Sequence, residues 1–530
     1  MSNSSTSTGS GEDDIDLLDN DELGFNKEEK DTYRQHYIEN HLVYLLLKYG
    51  EHHSALNTAL DDNNDETTAK TVTLLKLYCR LITSSRDNIL DDASEDVYTK
   101  SIDMLVASLT IPSYIQDIEQ QKLFNEDEYN QLVTKARQRV EVTQQVVQLL
   151  ATLVGRESRL ANKVLTAIYI DRLIPLLVDY TTNSLIQVDV ELKQQSSLWT
   201  NHSIDGAARQ LLECLVKIGH AGSLSELLCQ RPGSLMKHYA TMLSDKEGEW
   251  INNIVLVHSF SSFVTLVKKP HLVDVLDSFN PIPINIIINL IHCSNDPSKR
   301  LGCGTLRHIL DNLNNEQQAK NILNAHPKLY DRLFFVVSSE EEHEDTIKQS
   351  AEILFRILHL ANPIDTGYIT HPLFMSNLGS ASSAGQGQPK GRSTAASQQQ
   401  LQSQSQSSKS LQEHITIVNM IVQSLLSPKS TTFKRQCLLR HSIEVFQTMG
   451  IYSTMCFKSL IPSLVTSIGN KDLSVESMQA LKELYTTCWP RLPHYRDDII
   501  QALKSVHQRG LTEEDTASLL AKELMSMANS

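Results

Sequence analysis

The chain has 530 residues, 40% of them hydrophobic, and a formal net charge of −15. That length exceeds what one compact core holds, the apolar content is that of a folding chain, and nucleic acid is not an expected partner. Phosphate binding rests on clustered Lys and Arg, and no such run occurs. The longest apolar run, at 284–291, is far shorter than the roughly 20 residues that span a bilayer, so no membrane partner is expected. Eight cysteines, at 79, 214, 229, 293, 303, 437, 456 and 488, form no framework of a small secreted domain. Reduced thiols in a soluble intracellular protein are the expectation, cytoplasmic with the nucleus as a second compartment.

Residues 1–31 hold ten carboxylates against Lys27 and Lys30 and read as a disordered acidic tail. Within it Ile15, Leu17 and Leu18 sit among acidic residues, which suits either a docking motif or a solubilising tail. An N-terminal helical region follows over 32–195. Tyr37, Val43, Tyr44 and Leu47 precede Gly50, and Leu74, Leu77, Tyr78, Leu81 and Ile82 form a second stripe. A long helix is predicted at 131–153 with Val133, Val140, Val146, Val147 and Leu150 inward, and another at 172–178 running past Pro175.

The central region, 196–375, is the most legible. Asp205 stands ahead of Ala207, Ala208, Leu211, Leu212, Leu215 and Val216. Then Ile284, Ile287, Ile288 and Ile291 recur at i, i+3, i+4, i+7, on a helix that Pro281 and Pro283 start. Asn295-Asp296-Pro297 breaks that helix, and Leu306, Ile309, Leu310 and Leu313 mark the next. From Asp345 the pattern returns with Ile347, Ala351, Leu354, Phe355 and Leu358, a 49-residue step from Asp296. HEAT and armadillo units run to about 40–47 residues, so the pattern predicts an all-α chain, an α-solenoid of HEAT/armadillo-like helical repeats.

Composition changes at 376–410, a Gln/Ser-rich stretch with almost nothing to bury, expected as a flexible loop. HEAT-like repeats resume over 411–530, with stripes at Ile415, Val418, Val422 and Leu425, at Leu438, Leu439, Ile443 and Phe446, and at Leu460, Leu464, Val465 and Ile468. A last unit carries Val475, Met478, Leu481, Tyr485 and Cys488.

No catalytic, cofactor-binding or metal-binding set is expected from these residues, and an enzyme is not predicted. Gly302-Cys303-Gly304 lies inside a helix with no preceding strand, and Gly385-Gln386-Gly387 lies in the Gln/Ser stretch, so neither cradles a phosphate. Cys293, Cys303, His292 and His308 approach one another in sequence, but buried Cys on a helix stripe is ordinary core. His52-His53 and Glu340-Glu341-Glu342 read as solvated faces.

The run at 472–500, whose helix ends in Cys488-Trp489-Pro490-Arg491 and whose next opens with Tyr495-Arg496-Asp497-Asp498, resembles the Tel-Two-interacting-protein-Two family. The unit SNDPSKRLGCGTLRHILDNL at 294–313 is similar to that family's middle repeat. The resemblance covers about 262–505. It implies a subunit of the Triple-T complex, an α-solenoid co-chaperone assembly. Its partners would be the other α-solenoid subunits and, indirectly, phosphatidylinositol-3-kinase-related kinases and the ninety-kilodalton heat-shock chaperone. No catalytic residue comes with it. Trp489, Arg491 and Arg496 are the candidate partner interface, since Trp and Arg most often dominate binding energy. Core packing of Trp489 stays open beside that. The alternative is an armadillo- or importin-like cargo adaptor, against which Trp199, Trp250 and Trp489 are too few and too irregular to form a groove ladder.

Overall fold

The computed structural model describes residues 95–111, 115, 118, 125–155, 167–230, 235, 239, 249–313, 316–340, 342–361, 395–509 and 516–529. The acidic tail, the helices expected before residue 95, His52-His53 and the segment 362–394 lie outside them. The described residues are all-α and fall into two compact units, Met1–Ile286 and Ile287–Ser530.

The first unit runs α1 (Glu95–Ser108), α2 (Glu126–Gly155), α3 (Ala167–Tyr180), α4 (Ser184–Val188), α5 (Val190–Ser196), α6 (His202–Ile218), α7 (Leu224–Gln230), α8 (Ile254–Leu266) and α9 (His271–Ser278). Helix α2 packs on α1 and α6, α6 on α3 and α7, α3 on α8, and α7 on α9. The long helix predicted at 131–153 is α2, with Val146, Val147 and Leu150 sealed, whereas Val133 and Val140 are half-buried. Helix α3 does continue past Pro175. Asn201 caps α6 by accepting from the Ile204 amide at 2.8 Å. Asp205 is turned inward and accepts from the Thr182 amide at 2.7 Å and from Arg209 Nε at 3.0 Å.

The unit boundary falls inside α10 (Ile282–His292). The second unit then runs α11 (Asp296–Asn312), α12 (Glu316–Ala325), α13 (Lys328–Ser338), α14 (Glu344–Ala361), α15 (Ala395–Leu426), α16 (Thr432–Met449), α17 (Phe457–Ile468), α18 (Ser474–Cys488), α19 (Arg496–Arg509) and α20 (Thr516–Asn529). Its packing is that of stacked helix pairs: α13 with α14, α15 with α16, α17 with α18, α19 with α20. Helices α11, α14, α16, α18 and α20 touch in succession as one layer, and α15, α17 and α19 as the other. This is the α-solenoid architecture that the 49-residue step from Asp296 to Asp345 predicts.

The central stripes are where the sequence puts them. Ile284, Ile287, Ile288 and Ile291 are buried, as are Leu306, Ile309, Leu310, Ile347, Ala351, Leu354, Phe355 and Leu358, while Leu313 is half-buried at the end of α11. Asn295 caps α11 through the Ser298 amide at 3.0 Å, with Pro297 in the first turn, where its missing N–H costs nothing. Gly302 is required by proximity. A Cβ there would stand 2.8 Å from Leu290 Cβ and 3.4 Å from the Ile291 amide nitrogen, so only glycine lets α11 lie this close to α10.

Two expectations need correction. The helix α15 begins at Ala395, so the backbone of 395–410 is helical where composition predicted loop. Its Gln, Ala and Ser run contains no Gly or Pro, and Gln and Ala are strong helix formers, so low apolar content did not by itself mean loop. Ile415, Ile443 and Val465 are half-buried, and His414, Ile417, Ile421, Val445 and Ile461 hold the inward positions instead. Helix α18 does end at Trp489-Pro490-Arg491 and the next opens at Arg496, with Trp489–Tyr495 between them, like Gly450–Cys456, forming a 3-10 helix.

A helix glycine that touches something and one that touches nothing should respond oppositely. Gly302→Val is expected to lower stability by about 1–3 kcal/mol through overpacking. In contrast, Gly206→Ala, an exposed position in α6 with no atom within 4 Å of its new Cβ, should raise it by roughly 0.4–1 kcal/mol. Denaturant midpoints check both, and a Gly302→Val midpoint at or above the parent's would rule out the tight α10/α11 approach.

Candidate partner surface and buried polar centres

Polar bridges cross successive helices in the α11–α14–α16–α18–α20 layer. Lys299 Nζ on α11 donates to both carboxylate oxygens of Glu342 at 2.6 and 2.5 Å, and both side chains are nearly sealed from solvent, so Glu342 is not part of the solvated face expected of its glutamate run. Further along, Arg307 pairs with Glu352 at 2.9 Å, and Arg356 pairs with Asp311. His441 stacks on Phe355 with ring centroids 5.0 Å apart, between α16 and α14. Arg440 reaches Glu476 at 2.9 Å and Gln447 reaches Glu483 at 3.1 Å, between α16 and α18. Lys482 reaches Glu523 at 2.6 Å, between α18 and α20. The Arg307 and Lys482 pairs are solvated and contribute little, whereas loss of Glu342 would leave the nearly sealed Lys299 ammonium only the longer contact to Asp296 at 4.0 Å.

Of the cysteines singled out in the sequence, Cys303 is core and Cys293 is half-buried. Burial pushes the Cys303 thiol up to about 12, and Ser350 Oγ lies 3.2 Å from its sulfur. Burial likewise raises Cys293 to about 11, where Sγ–H donates to the Asn295 carbonyl at 3.3 Å. Gly302-Cys303-Gly304 lies wholly within α11.

The interface candidates occupy the connector between α18 and α19. Trp489 and Arg491 belong to its 3-10 turn and Arg496 opens α19. Arg491 and Arg496 are exposed, beside exposed His494, Asp497 and Asp498. The side chain of Trp489 lies outside the described residues. The Arg496 charge acts on Tyr485, but burial dominates and holds that phenol above its ordinary range. Trp199 and Trp250 are both core residues.

A buried polar seam in the first unit had no clear sequence signal beyond the polar residues in Val257-His258-Ser259-Phe260-Ser261-Ser262-Phe263, on a helix buried nearly all round. Trp199 Nε1 donates to the Asp179 carbonyl at 3.1 Å and its ring meets His258 edge-on at 5.2 Å. The Ser259 and Tyr239 hydroxyls are 2.9 Å apart, and Ser259 also bonds the Asp179 carboxyl. Burial lifts Asp179 to about 7 against that bond, and it drops His258 to about 3 despite the nearby Asp189 charge. Asp179 remains half-exposed as a residue, yet its Oδ1 is sealed and has no partner, as is His258 Nε2.

A second group also escaped the sequence reading. Cys229 on α7 and His271 and Asp274 on α9 place one potential ligand atom each within 4.8 Å of one another.

These residues define a protein of stacked helical pairs, the α-solenoid class. No protein-family model matches the chain, and no curated protein matches it. Among solved structures it is similar to Kap121p, at 13% identity and TM-score 0.39, covering 97% of this chain and 48% of that one. It is similar to the karyopherin Kap121p bound to the SUMO protease Ulp1p at 14% and 0.39, covering 98% and 49%. For Kap121p bound to Nup53p the values are 13% and 0.39, covering 98% and 49%. The chain thus spans about half the length of those karyopherin chains. A likeness at that level assigns neither function nor partner. No helix of the described residues is long and apolar enough to cross a membrane.

Removing Glu342 and removing Arg307 should separate buried from solvated pairs. Glu342→Ala is expected to cost about 1–3 kcal/mol, since Lys299 then keeps only Asp296 at 4.0 Å, and Arg307→Ala less than about 1 kcal/mol. Equal midpoint shifts in chemical denaturation would contradict this ranking.

The Asp179 carboxyl gives a pH prediction. Its folded value is raised from 3.8 to about 7, so its stabilising effect is full below about 3.8 and is lost as pH rises toward 7. Asp179→Asn is therefore expected to gain in melting temperature over the parent at pH 8 and to lose most of that advantage at pH 4. A difference independent of pH would show that Asp179 ionises normally. His258 carries the opposite sign, with stability lost as pH falls from 6.5 toward 3, and cancels in this comparison.

Proposed function

We propose that the chain is a non-enzymatic α-solenoid scaffold and co-chaperone subunit of a Triple-T-like complex. In this reading it packs against other α-solenoid subunits and supports maturation of phosphatidylinositol-3-kinase-related kinases with the ninety-kilodalton heat-shock chaperone, in the cytoplasm and the nucleus. The observation that carries it is the α18–α19 connector. The segment whose residues resemble the Tel-Two-interacting-protein-Two family forms a 3-10 turn with Arg491 and Arg496 facing solvent. Two exposed guanidiniums near the end of the described helices, in a chain of net charge −15, offer charged donors to an acidic partner surface, beside their own neighbours Asp497 and Asp498. Stacked helical pairs also supply the long surfaces such assemblies use.

The test separates binding from folding. Arg491→Glu and Arg496→Glu together should leave the thermal melt within error of the parent while weakening co-purification of the α-solenoid partner at least roughly tenfold, as loss of two interface charges does. A normal melt with full partner recovery would exclude this end as the docking site. Recovery of basic-peptide cargo in place of solenoid partners would favour the adaptor reading instead.

A further inference from the structure

Helices α7 and α9 pack together, and Ser225 fixes how they do so. Its hydroxyl donates to the Leu266 carbonyl at 3.2 Å and accepts from the Lys268 amide at 3.0 Å, pinning the strand of chain that leads into α9 onto α7. One turn further along α7, Cys229 Sγ–H donates to the His271 carbonyl at 3.6 Å. His271 and Asp274 are i and i+3 on α9 and so share one face, the spacing that helix-borne metal sites use. The three potential ligand atoms, one sulfur, one imidazole nitrogen and one carboxylate oxygen, lie within 4.8 Å of one another. Bonds of about 2.3 Å to sulfur and about 2.0–2.2 Å to nitrogen and oxygen put tetrahedral ligand atoms roughly 3.3–3.7 Å apart. The remaining gap is at most about 1 Å, and half-buried Cys229 and His271 and exposed Asp274 each have a rotatable side chain with which to close it.

We propose that Cys229, His271 and Asp274 form a zinc site that ties α7 to α9, with its fourth position open to water. Sulfur with imidazole selects a borderline-soft ion over calcium or magnesium, which take oxygen shells. Loading breaks the Cys229 S–H bond, sends the proton to solvent and forms the zinc–sulfur bond. One thiolate, one carboxylate and a neutral imidazole then leave the shell without net charge. Burial and the Asp274 carboxylate both hold the unloaded Cys229 thiol above its ordinary range, so the ion rather than the protein sustains the thiolate. The site adds a metal to the helical scaffold and stands whether or not the partner assignment does.

The full chain, reduced and stripped with chelator, is titrated with Co²⁺ as the spectroscopic stand-in, followed by displacement with Zn²⁺. Expected is saturable binding with a thiolate-to-cobalt charge-transfer band and tetrahedral d–d absorption, both removed by Zn²⁺. Cys229→Ser should abolish the charge-transfer band, Asp274→Asn should weaken binding at least tenfold, and Cys214→Ser should change nothing. Zinc should also raise the parent's melting temperature and leave that of Asp274→Asn, an exposed substitution that preserves the fold, nearly unmoved. Absence of saturable binding by the parent, or a charge-transfer band that survives in Cys229→Ser, overturns the proposal.

Discussion

Every helix pair in the second unit depends on burial against its neighbours, because a pair alone covers only one of its apolar faces. Leu306, Ile309, Leu354, Phe355, Leu438 and Leu481 are sealed along the α11–α14–α16–α18 layer. Each such side chain contributes roughly 1.5–3 kcal/mol when withdrawn from water. The solvated ion pairs that cross the same layer contribute well under about 1 kcal/mol each. Burial therefore supplies the cohesion, and the polar bridges set which turn of one helix meets which turn of the next. Gly302 belongs to the same constraint, since a side chain there would meet Leu290 and Ile291 and hold α11 away from α10.

Buried polarity is handled in different ways at two places, one in each unit. In the second, Lys299 is nearly sealed but held by both oxygens of Glu342, so its charge stays compensated. In the first, the seam around Trp199, Tyr239 and Ser259 leaves Asp179 Oδ1 and His258 Nε2 without partners. Desolvation then acts on the charged form of each, raising the acid and lowering the base until both are neutral near pH 6. A neutral acid and a neutral imidazole side by side with aromatic rings are compatible with a tightly packed core, and a charged one is not.

Function on such a scaffold is a matter of what its connectors and helix ends present. The α18–α19 turn presents two arginines, and the α7–α9 contact presents a thiol, an imidazole and a carboxylate. The first sits in a short connector and the second at facing helix ends, on helices whose positions are fixed by their neighbours. That is why side chains without regular periodicity are nonetheless held in place there.

The sequence by itself determined the all-α class, the helix boundaries of the central region and the 49-residue step, because a 3.6-residue apolar period, an Asn295 cap and a Pro297 start are local signals. It also placed Arg496 at a helix start and Gly302-Cys303-Gly304 inside a helix. Local period was a poorer guide on α15, α16 and α17. A helix packed on a pair mate and on stacked neighbours buries more than one stripe, so Ile415, Ile443 and Val465 lost the inward place to Ile417, Val445 and Ile461. Tertiary structure alone decided the Lys299–Glu342 pair, the Asp179 seam and the Cys229–His271–Asp274 group. Their members are separated by tens of residues, and no periodicity along the chain encodes a distance across it. That distance is fixed only once helix packing closes the intervening chain.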